Sequence, residues 1–356
     1  MSNGKERQRE NMKYKVGMYG GSFDPLHLGH IQDIVKASAV CEELYIFISW
    51  CDKRDSVSKE LRYRWILDTT KHLTNIKIKL LEDKAVSKEQ YNSDYYWENG
   101  ANEIKAGIGK KIDVVFCGDD YRGTHRFENL YGLDSDIVYF DRKDIPVSST
   151  EIKLTTVDHW DYIPQICKSS YVKKVLVIGG ESTGKTTLVK NLALVYNTNF
   201  VEEVGRDVCE KAGGLDLMLI DDFYEILLKQ KLNVIEASKN SNRILFVDTD
   251  AITTYFYAQF LFDNSNKVEQ CKRLAFEINK ISQWDLVLFL EPTVDFVQDG
   301  TRSEIVNNDR KKYSLQIKQL LKENGIGCYC IGGDYLNRFN KAKMLIKSSF
   351  GIDTKW

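Results

Sequence analysis

The stretch GMYGGSFDPLHLGH, residues 17–30, decides the fold of the first half of the chain. The apolar run KVGMYGG predicts a buried strand that ends in a glycine turn. The following segment, HIQDIVKASAVC, carries apolar residues at the helical period and predicts a helix that begins near His30. Gly20 and Gly21 allow the turn between strand and helix to approach an anion at the helix N-terminus.

Two histidines follow the glycine turn. His27 and His30 are three residues apart, so their imidazoles can lie on one side of the first helical turn. Such a pair beside a helix N-terminus suits a pentavalent phosphorus that carries extra negative charge, and this chemistry requires no covalent nucleophile. The loop therefore predicts nucleotidyl transfer.

A second glycine-rich stretch, VLVIGGESTGKTT, spans residues 175–187. Its pattern GxxxxGK[ST], between a predicted strand and a predicted helix, is typical of a P-loop. Backbone N–H groups would surround the β-phosphate, Lys185 would reach the β and γ phosphates, and the Thr186 hydroxyl would bind Mg²⁺. The expected phosphate-binding residues are Gly179, Gly180, Glu181, Ser182, Thr183, Gly184, Lys185, Thr186 and Thr187.

Two carboxylates follow another predicted strand, ILFVD. Asp248 ends this strand at the Walker B position, which helps to hold Mg²⁺, and Asp250 would point to the same side two residues later. Either can be the metal ligand, with the other facing the phosphate acceptor. We assign the metal to Asp248 and the acceptor to Asp250.

Further candidate kinase residues lie after two other strands. The segment NFVEEVGRDV places Glu202, Glu203 and Arg206 at a strand end, where a carboxylate can accept the proton of the attacking hydroxyl. Glu203 is our candidate for that base, and Glu202 and Arg206 are candidates for substrate binding. Arg302, in the loop FVQDGTR, is expected to supply a cation from a mobile lid.

Composition excludes several classes of protein. The chain has 356 residues, 43% hydrophobic and 28% charged, which suits two ordinary globular domains. Because 50 Lys and Arg balance 51 Asp and Glu, no net charge favours nucleic acid or membrane. The eight cysteines form no CxxC pair and predict reduced, mostly buried thiols. The polar start and the lack of a long apolar run predict a cytoplasmic protein.

Strands alternating with helical segments predict an α/β fold with parallel sheets. We expect a polar tail over 1–12, a first Rossmann-like domain over 13–168 and a P-loop domain over 172–356. The predicted strands of the second domain are KVLVIGG, TNFVEE, RILFVDTD, DLVLFLE and GCYCIGG.

Three motifs carry a family resemblance. The loop GSFDPLHLGH resembles the (H/T)xGH signature of nucleotidyltransferases, and PVSSTEIK resembles the SSTxxR signature of nicotinamide mononucleotide adenylyltransferases. LRYRW at 61–65 and the order of the two domains point the same way. Over roughly residues 14–340 the chain is similar to the NadR family, which joins such an adenylyltransferase to a ribosylnicotinamide kinase.

The resemblance implies two reactions that use ATP and Mg²⁺. The P-loop domain would phosphorylate nicotinamide riboside, and the first domain would join nicotinamide mononucleotide to the AMP part of ATP, giving NAD and pyrophosphate. It also implies an indole on the nicotinamide ring, with Trp97 as the candidate in the first domain and Trp284 in the second, and it suggests a homo-oligomer. The implied ATP-binding residues of the first domain are Gly20, Gly21, Ser22, Phe23, His27, His30, Gly118, Asp119, Ser148, Ser149 and Thr150.

The chain departs from the family pattern at Lys153, where SSTxxR has Arg. Lysine keeps the charge but lacks the bidentate fork, so we expect weaker ATP binding, with Arg142 or Arg126 as candidates to share the role. About a dozen residues precede the first strand, too few for the helix-turn-helix repressor domain of enterobacterial members, so we expect no repressor function.

Three alternatives remain. The fusion could act on another small metabolite, since phosphopantetheine adenylyltransferases and cytidylyltransferases share the HxGH loop. The first domain could instead be an NAD-metabolite sensor without turnover. An aminoacyl-tRNA synthetase is disfavoured by the neutral net charge.

Overall fold

The computed structural model describes residues 13–141, 145–262, 266–297 and 309–354. The chain divides after Cys167 into two compact units. Each unit contains one five-stranded sheet in which every strand pair is parallel. The predicted fold class, two α/β domains with parallel sheets, is therefore confirmed.

In the first unit the sheet order is β3-β2-β1-β4-β5. The strands are β1 (Tyr14–Gly21), β2 (Cys41–Trp50), β3 (Ile76–Glu82), β4 (Val114–Gly118) and β5 (Asp136–Phe140). The helices are α1 (Leu28–Ser38), α2 (Lys59–Thr70), α3 (Lys88–Tyr91), α4 (Asp94–Ile108), α5 (Arg126–Tyr131), α6 (Ser149–Leu154) and α7 (Gln165–Lys168). The strand order reverses between β1 and β4, and a crevice for ligands forms outside the carboxyl ends of strands at such a point.

Close packing explains one glycine of the decisive stretch. A Cβ on Gly17 would lie 2.5 Å from the Cys41 Sγ, so glycine permits the neighbouring strands β1 and β2 to pack as they do. Strand β3 was not expected from the sequence. It alternates isoleucine or leucine with lysine and lies at the sheet edge, and it therefore lacks the continuous apolar run of a central strand.

In the second unit the sheet order is β10-β9-β6-β8-β7. The strands are β6 (Lys173–Gly179), β7 (Phe200–Val201), β8 (Ile244–Asp248), β9 (Leu286–Leu290) and β10 (Tyr329–Ile331). The helices are α8 (Lys185–Val195), α9 (Val204–Ala212), α10 (Ile220–Lys239), α11 (Ala251–Phe262), α12 (Asn266–Lys280), α13 (Arg310–Glu323) and α14 (Tyr335–Phe350). All five predicted strands of this half are present. Every residue of β8 and β9 is buried, as expected for strands covered on both faces.

Two further features concern the chain as a whole. The eight cysteines are free thiols, of which six are buried while Cys328 and Cys330 are half-buried. Within the described ranges, no helix combines the length and apolar character that crossing a membrane requires.

Candidate active sites

The two histidines of the first loop meet at the start of α1. The helix begins at Leu28, two positions before the predicted start, and His27 is its N-cap residue. The His27 Nδ1 accepts a 3.4 Å hydrogen bond from the His30 backbone N–H. Their rings are stacked with centroids 3.6 Å apart, and the buried Phe23 ring lies edge-on at 5.0 Å from His30. The predicted shared side is confirmed, and the two imidazoles form one surface at a helix N-terminus.

The loop before these histidines is held by its own aspartate. Asp24 is only 1% exposed and accepts hydrogen bonds from the Ser56 backbone N–H at 2.8 Å and the Ser56 hydroxyl at 2.7 Å. The Lys153 Nζ, on α6, donates to the Asp24 Oδ2 at 2.6 Å. Lys153 therefore lies beside the loop, in an ion pair with Asp24, and its side chain remains 38% exposed.

Arg62 fastens the same loop from α2 and was given no role in the sequence analysis. Its guanidinium is 1% exposed and donates to the Ser22 carbonyl at 2.6 Å, to the Ser49 carbonyl at 3.1 Å and to the Asp55 carboxylate at 2.6 Å. The signal was present in the motif LRYRW, because an arginine on the face of α2 that also buries Trp65 and Ile66 must find polar partners inside.

The SST turn packs against this loop. Ser148 is the N-cap of α6 and forms a capping box with Glu151. The Ser149 hydroxyl donates to the Pro25 carbonyl at 3.0 Å, while Thr150 is exposed at the start of the helix. The turn, the loop and Lys153 therefore form one connected set.

The remaining predicted residues of the first unit lie at the end of β4, next to β1. Gly118 ends the strand, and the half-exposed Asp119 carboxylate accepts a 2.6 Å hydrogen bond from the Arg122 Nε. Trp97 is half-buried, with its centroid 5.7 Å from that of Tyr121, which lies three residues after Gly118.

Trp97 already has several neighbours. Its Nε1 donates to the Tyr91 carbonyl at 2.7 Å, and the Arg126 guanidinium lies 5.1 Å from the ring centroid. Arg126 also donates to the Asn92 carbonyl at 2.6 Å, so it supports Trp97 rather than the Asp24 loop. Arg142, the other residue considered as a partner of Lys153, lies outside the described residues.

In the second unit, the P-loop runs from the end of β6 to the start of α8. Gly184 is the N-cap of α8 with φ of +82°, a conformation that favours glycine, and Ser182 also has a positive φ of 55°. Lys185 Nζ donates to the Gly180 carbonyl at 3.1 Å, so it lies across the loop. The predicted strand–loop–helix context is confirmed.

Thr186 and Asp248 form the predicted pair. The Thr186 hydroxyl donates to the Asp248 Oδ2 at 2.5 Å, and Asp248 is fully buried. Burial, and secondly the charge of Glu203, raise the pKa of Asp248 to about 6, against the opposing effect of Lys185 and two hydroxyl hydrogen bonds. A buried carboxylate of this kind needs a cation beside it.

Asp250 has a different environment from Asp248. Its Oδ1 accepts hydrogen bonds from the Thr253 backbone N–H and hydroxyl, both at 2.9 Å, at the start of α11. It is 2% exposed, and burial raises its pKa. Its Oδ2 is buried and has no hydrogen-bond partner within the described part of the chain, and Asp250 does not line the cavity beside the P-loop.

Gln230, on α10, connects the two acidic strand ends and was not identified from the sequence. Its Nε2 donates to the Asp248 carbonyl at 2.9 Å and its Oε1 accepts from the Val204 N–H at 3.0 Å. The β7–β8 pairing ends just before this point, at Val201 and Val247. The Gln230 amide therefore links the ends of β7 and β8 beyond the last backbone pair of these two strands. This link positions Glu203, which follows β7, relative to Asp248 at the end of β8.

A cavity of about 340 Å³ lies against the P-loop. Glu203 and Arg206 line it together with P-loop residues, which brings these predicted residues to one place. Glu202 is not among its lining residues, although its exposed carboxylate pairs at 2.9 Å with the Nζ of Lys190, which does line the cavity. The other lining residues were not identified from the sequence, and they are Lys190, Gly205, Cys209, Leu215, Met218, Phe223, Ile226, Thr254 and Tyr257.

Trp284 requires a correction. It lies two residues before β9, and its neighbour Asp285 bonds to Lys174 at the start of β6, whereas the P-loop follows the other end of that strand. At about 3.3 Å per residue, the seven-residue strand β6 separates Trp284 from the loop by roughly 20 Å. Trp284 is therefore not retained as a ring-stacking residue. Arg302 lies outside the described residues.

Family models match both units. An AAA domain model matches residues 174–338, and a citrate lyase ligase C-terminal domain model matches residues 22–196. A phosphopantetheine adenylyltransferase of Streptococcus pneumoniae is 37% identical over 76 residues, which cover 21% of this chain and 47% of that protein. These matches support a nucleotidyltransferase unit followed by a P-loop unit.

Longer matches cover both units together. The trifunctional NAD biosynthesis/regulator protein NadR of Salmonella typhimurium is 31% identical over 350 residues, covering 94% of this chain and 83% of that protein. The Escherichia coli NadR is 31% identical over 353 residues, with 95% and 84% covered. A crystal structure of a NadR protein in complex with NR has a TM-score of 0.81 at 26% identity and covers 96% of this chain and 97% of that one. The chain belongs to the NadR family.

Proposed function

We propose that the chain is a bifunctional enzyme of NAD biosynthesis. Its second unit phosphorylates nicotinamide riboside with ATP, and its first unit transfers an adenylyl group from ATP to nicotinamide mononucleotide. The observation that carries the proposal is the pair of intact phosphate loops, each after the first strand of its own parallel sheet, in a chain similar to NadR over 94% of its length. NadR structures in complex with NR, and with NAD and AMP-PNP, support these ligands.

In the second unit, the riboside hydroxyl attacks the γ-phosphorus of ATP, the bond to the β,γ-bridging oxygen breaks, and ADP leaves. The P-loop N–H groups and Lys185 hold the phosphates. The cavity at the loop receives the riboside, whose hydroxyl proton passes to Glu203. Asp250, through its free carboxylate oxygen, orients a substrate hydroxyl.

The residues present also fit a magnesium ion. Thr186 and Asp248 offer adjacent hydroxyl and carboxylate oxygens, the donors Mg²⁺ prefers alongside phosphate oxygens and water. No cluster of three or more His, Cys, Asp or Glu side chains suited to a metal occurs among residues that the structure describes. When bound, Mg²⁺ neutralises charge on the β and γ phosphates.

In the first unit, a phosphate oxygen of nicotinamide mononucleotide attacks the α-phosphorus of ATP and pyrophosphate leaves. No proton needs to move, so the site acts by positioning and by charge. The stacked His27 and His30 donate to the α-phosphate at the helix start, and Lys153 supplies a cation at the edge of the same loop. Trp97 is the candidate platform for the nicotinamide ring, next to Gly118 and Asp119.

One assay tests both reactions. Purified protein is incubated with ATP, Mg²⁺ and nicotinamide riboside, and mononucleotide and NAD are followed over time. We expect mononucleotide first and NAD after it. NAD from supplied mononucleotide but not from riboside would contradict the kinase assignment, and mononucleotide without NAD at saturating ATP would contradict the adenylyltransferase assignment.

A further inference from the structure

Two arginines contact the outer side of the P-loop in the second unit. Arg338, on α14, donates to the Thr183 carbonyl, to the Glu291 carbonyl at 2.7 Å and to the Thr293 hydroxyl at 2.8 Å. Arg310, at the start of α13, donates to the Ser182 carbonyl at 3.0 Å. We name this pair the arginine clamp. Both arginines approach the loop through its carbonyl oxygens.

The orientation of these carbonyls matters for phosphate binding. A planar peptide unit points its N–H and its C=O in opposite directions, so a carbonyl held outward keeps the N–H of the next residue directed inward. A phosphate loop depends on such converging N–H groups. The clamp therefore acts on the peptide units that link Ser182, Thr183 and Gly184.

The loop backbone needs external support at this point. Ser182 has a φ of 55°, which is unfavourable for a residue with a side chain and persists where the surroundings determine it. The Ser182 carbonyl is held by Arg310, and its hydroxyl accepts a 2.8 Å hydrogen bond from the Val297 N–H. Three donors outside the loop, Arg310, Arg338 and the Val297 N–H, therefore hold its consecutive residues Ser182 and Thr183.

Arg338 also places charge behind the loop. It is 1% exposed, and burial lowers its pKa, yet three of its hydrogen bonds go to uncharged oxygens of carbonyl and hydroxyl groups. Burial of a guanidinium costs free energy unless hydrogen bonds or an anion compensate it. The nearby carboxylates of Glu291 and Asp334 compensate part of this cost, and a triphosphate on the inner side of the loop would add a further anion.

We infer that Arg338, supported by Arg310, is a positioning residue of the kinase site: it holds the P-loop carbonyls outward, keeps the N–H donors on the phosphates and adds a buried positive charge behind them. The inference rests on the proposed function only in taking ATP as the ligand of this loop. It gives helices α13 and α14 a role in nucleotide binding although neither needs to contact the nucleotide.

The test is ATP binding by the full chain, by calorimetric titration, for the wild type, Arg338→Met, Arg338→Lys and Arg310→Met. Lys185→Ala identifies the P-loop binding event, because that event should disappear in this variant alone. We expect Arg338→Met to raise the Kd of this event by about 10- to 100-fold, as loss of hydrogen bonds from a charged group does. Arg338→Lys should be intermediate, since it keeps the charge but bonds fewer oxygens.

Lys343→Met is the matched control, because Lys343 lies on the same helix and contacts only the ring of Phe339 among the contacts described. It should leave the Kd unchanged. A folded Arg338→Met protein with wild-type Kd and only a lower Tm would overturn the inference. If Arg338→Met does not fold, unchanged Kd values in both Arg338→Lys and Arg310→Met would overturn it instead. If the wild type does not phosphorylate the riboside, the proposed function fails while the titration still decides the clamp.

Discussion

The two nucleotide loops of this protein share a strand–loop–helix setting, but different contacts hold them in place. Each follows the first strand of a parallel sheet and ends at a helix N-terminus. The P-loop is held through its main-chain carbonyls by Arg310 and Arg338. The GSFDP loop is held in two ways: Arg62 and Ser149 donate to its main-chain carbonyls at Ser22 and Pro25, and its Asp24 side chain bonds to Ser56 and Lys153.

The two loops also differ in the environment of the buried carboxylate beside each of them. Asp24 is buried but already paired with a lysine, whereas Asp248 is buried beside a hydroxyl with its pKa raised to about 6. The buried carboxylate of the first loop is therefore already paired with a cation, whereas that of the second loop is suited to binding one. Because the contacts that hold the two loops share no residue, a single substitution should affect only one of the two reactions.

The largest expected effect is that of Lys185→Ala. Riboside phosphorylation should fall by about 10³-fold or more, because this side chain meets the transferred phosphoryl group. Adenylyl transfer to supplied mononucleotide should be unchanged, and it serves as the control within the same sample. Loss of both activities in a folded variant would show that the two sites are not separate.

His30→Ala should have the next largest effect, confined to the first unit. We expect the kcat of adenylyl transfer to fall by about 10²- to 10³-fold, as removal of one preorganised donor does. The kinase rate of the same protein is the control. Near-normal adenylyl transfer would assign His30 a structural role, stacked on His27 and in edge-on contact with Phe23.

Asp248→Asn tests the contrast in buried charge. Between pH 3.8 and about 6 folded Asp248 keeps a proton that the unfolded chain has released, so its contribution to the free energy of unfolding falls as pH rises. Asparagine has no proton to release, so Asp248→Asn should not lose this stability as pH rises. We expect it to raise the free energy of unfolding of the metal-free protein by about 1–3 kcal/mol at pH 7.5, and to leave it unchanged at pH 3.5, where Asp248 is protonated in the folded protein.

The measurement is urea unfolding in EDTA at both pH values. Asp24→Asn is the matched comparison in the first unit, and it should destabilise at pH 7.5, because it removes the ion pair with Lys153. Destabilisation by both substitutions at pH 7.5 would refute the distinction between the two buried carboxylates.

The smallest effect is expected at Lys153. Lys153→Arg should preserve or improve adenylyl transfer, because a guanidinium can bond both Asp24 and an ATP phosphate. Lys153→Ala should raise the KM for ATP a few-fold to about tenfold in this reaction only, as expected for a partly exposed ion pair at the edge of a site. An unchanged KM for ATP in the alanine variant would show that Lys153 does not contribute to ATP binding.

Most of the framework of both sites was predictable because its signals are local. His27 and His30 are three residues apart, and Lys185 and Thr186 follow a glycine at a helix start, so spacing alone brought them together. Strand β3 was missed because its alternating lysines suit a sheet edge and resemble a polar segment.

The misplaced and missed residues depended on distant parts of the chain. Trp284 has the residue type that stacks on a nicotinamide ring, but the direction of β9 places it at the opposite end of the sheet. Gln230 lies in the middle of a correctly predicted helix, and nothing local indicates that its amide joins two strand ends.

The sequence by itself determined two strand–glycine loop–helix units, their order and their resemblance to one family, because backbone freedom at glycine and short spacings act within a few residues. The tertiary structure alone decided what fastens each loop. Lys153 meets Asp24 across 129 positions, and Arg338 meets Thr183 across 155. Such contacts form only after the sheet order has set which elements lie side by side, and a buried charge then bonds to whatever polar oxygen that order brings within reach.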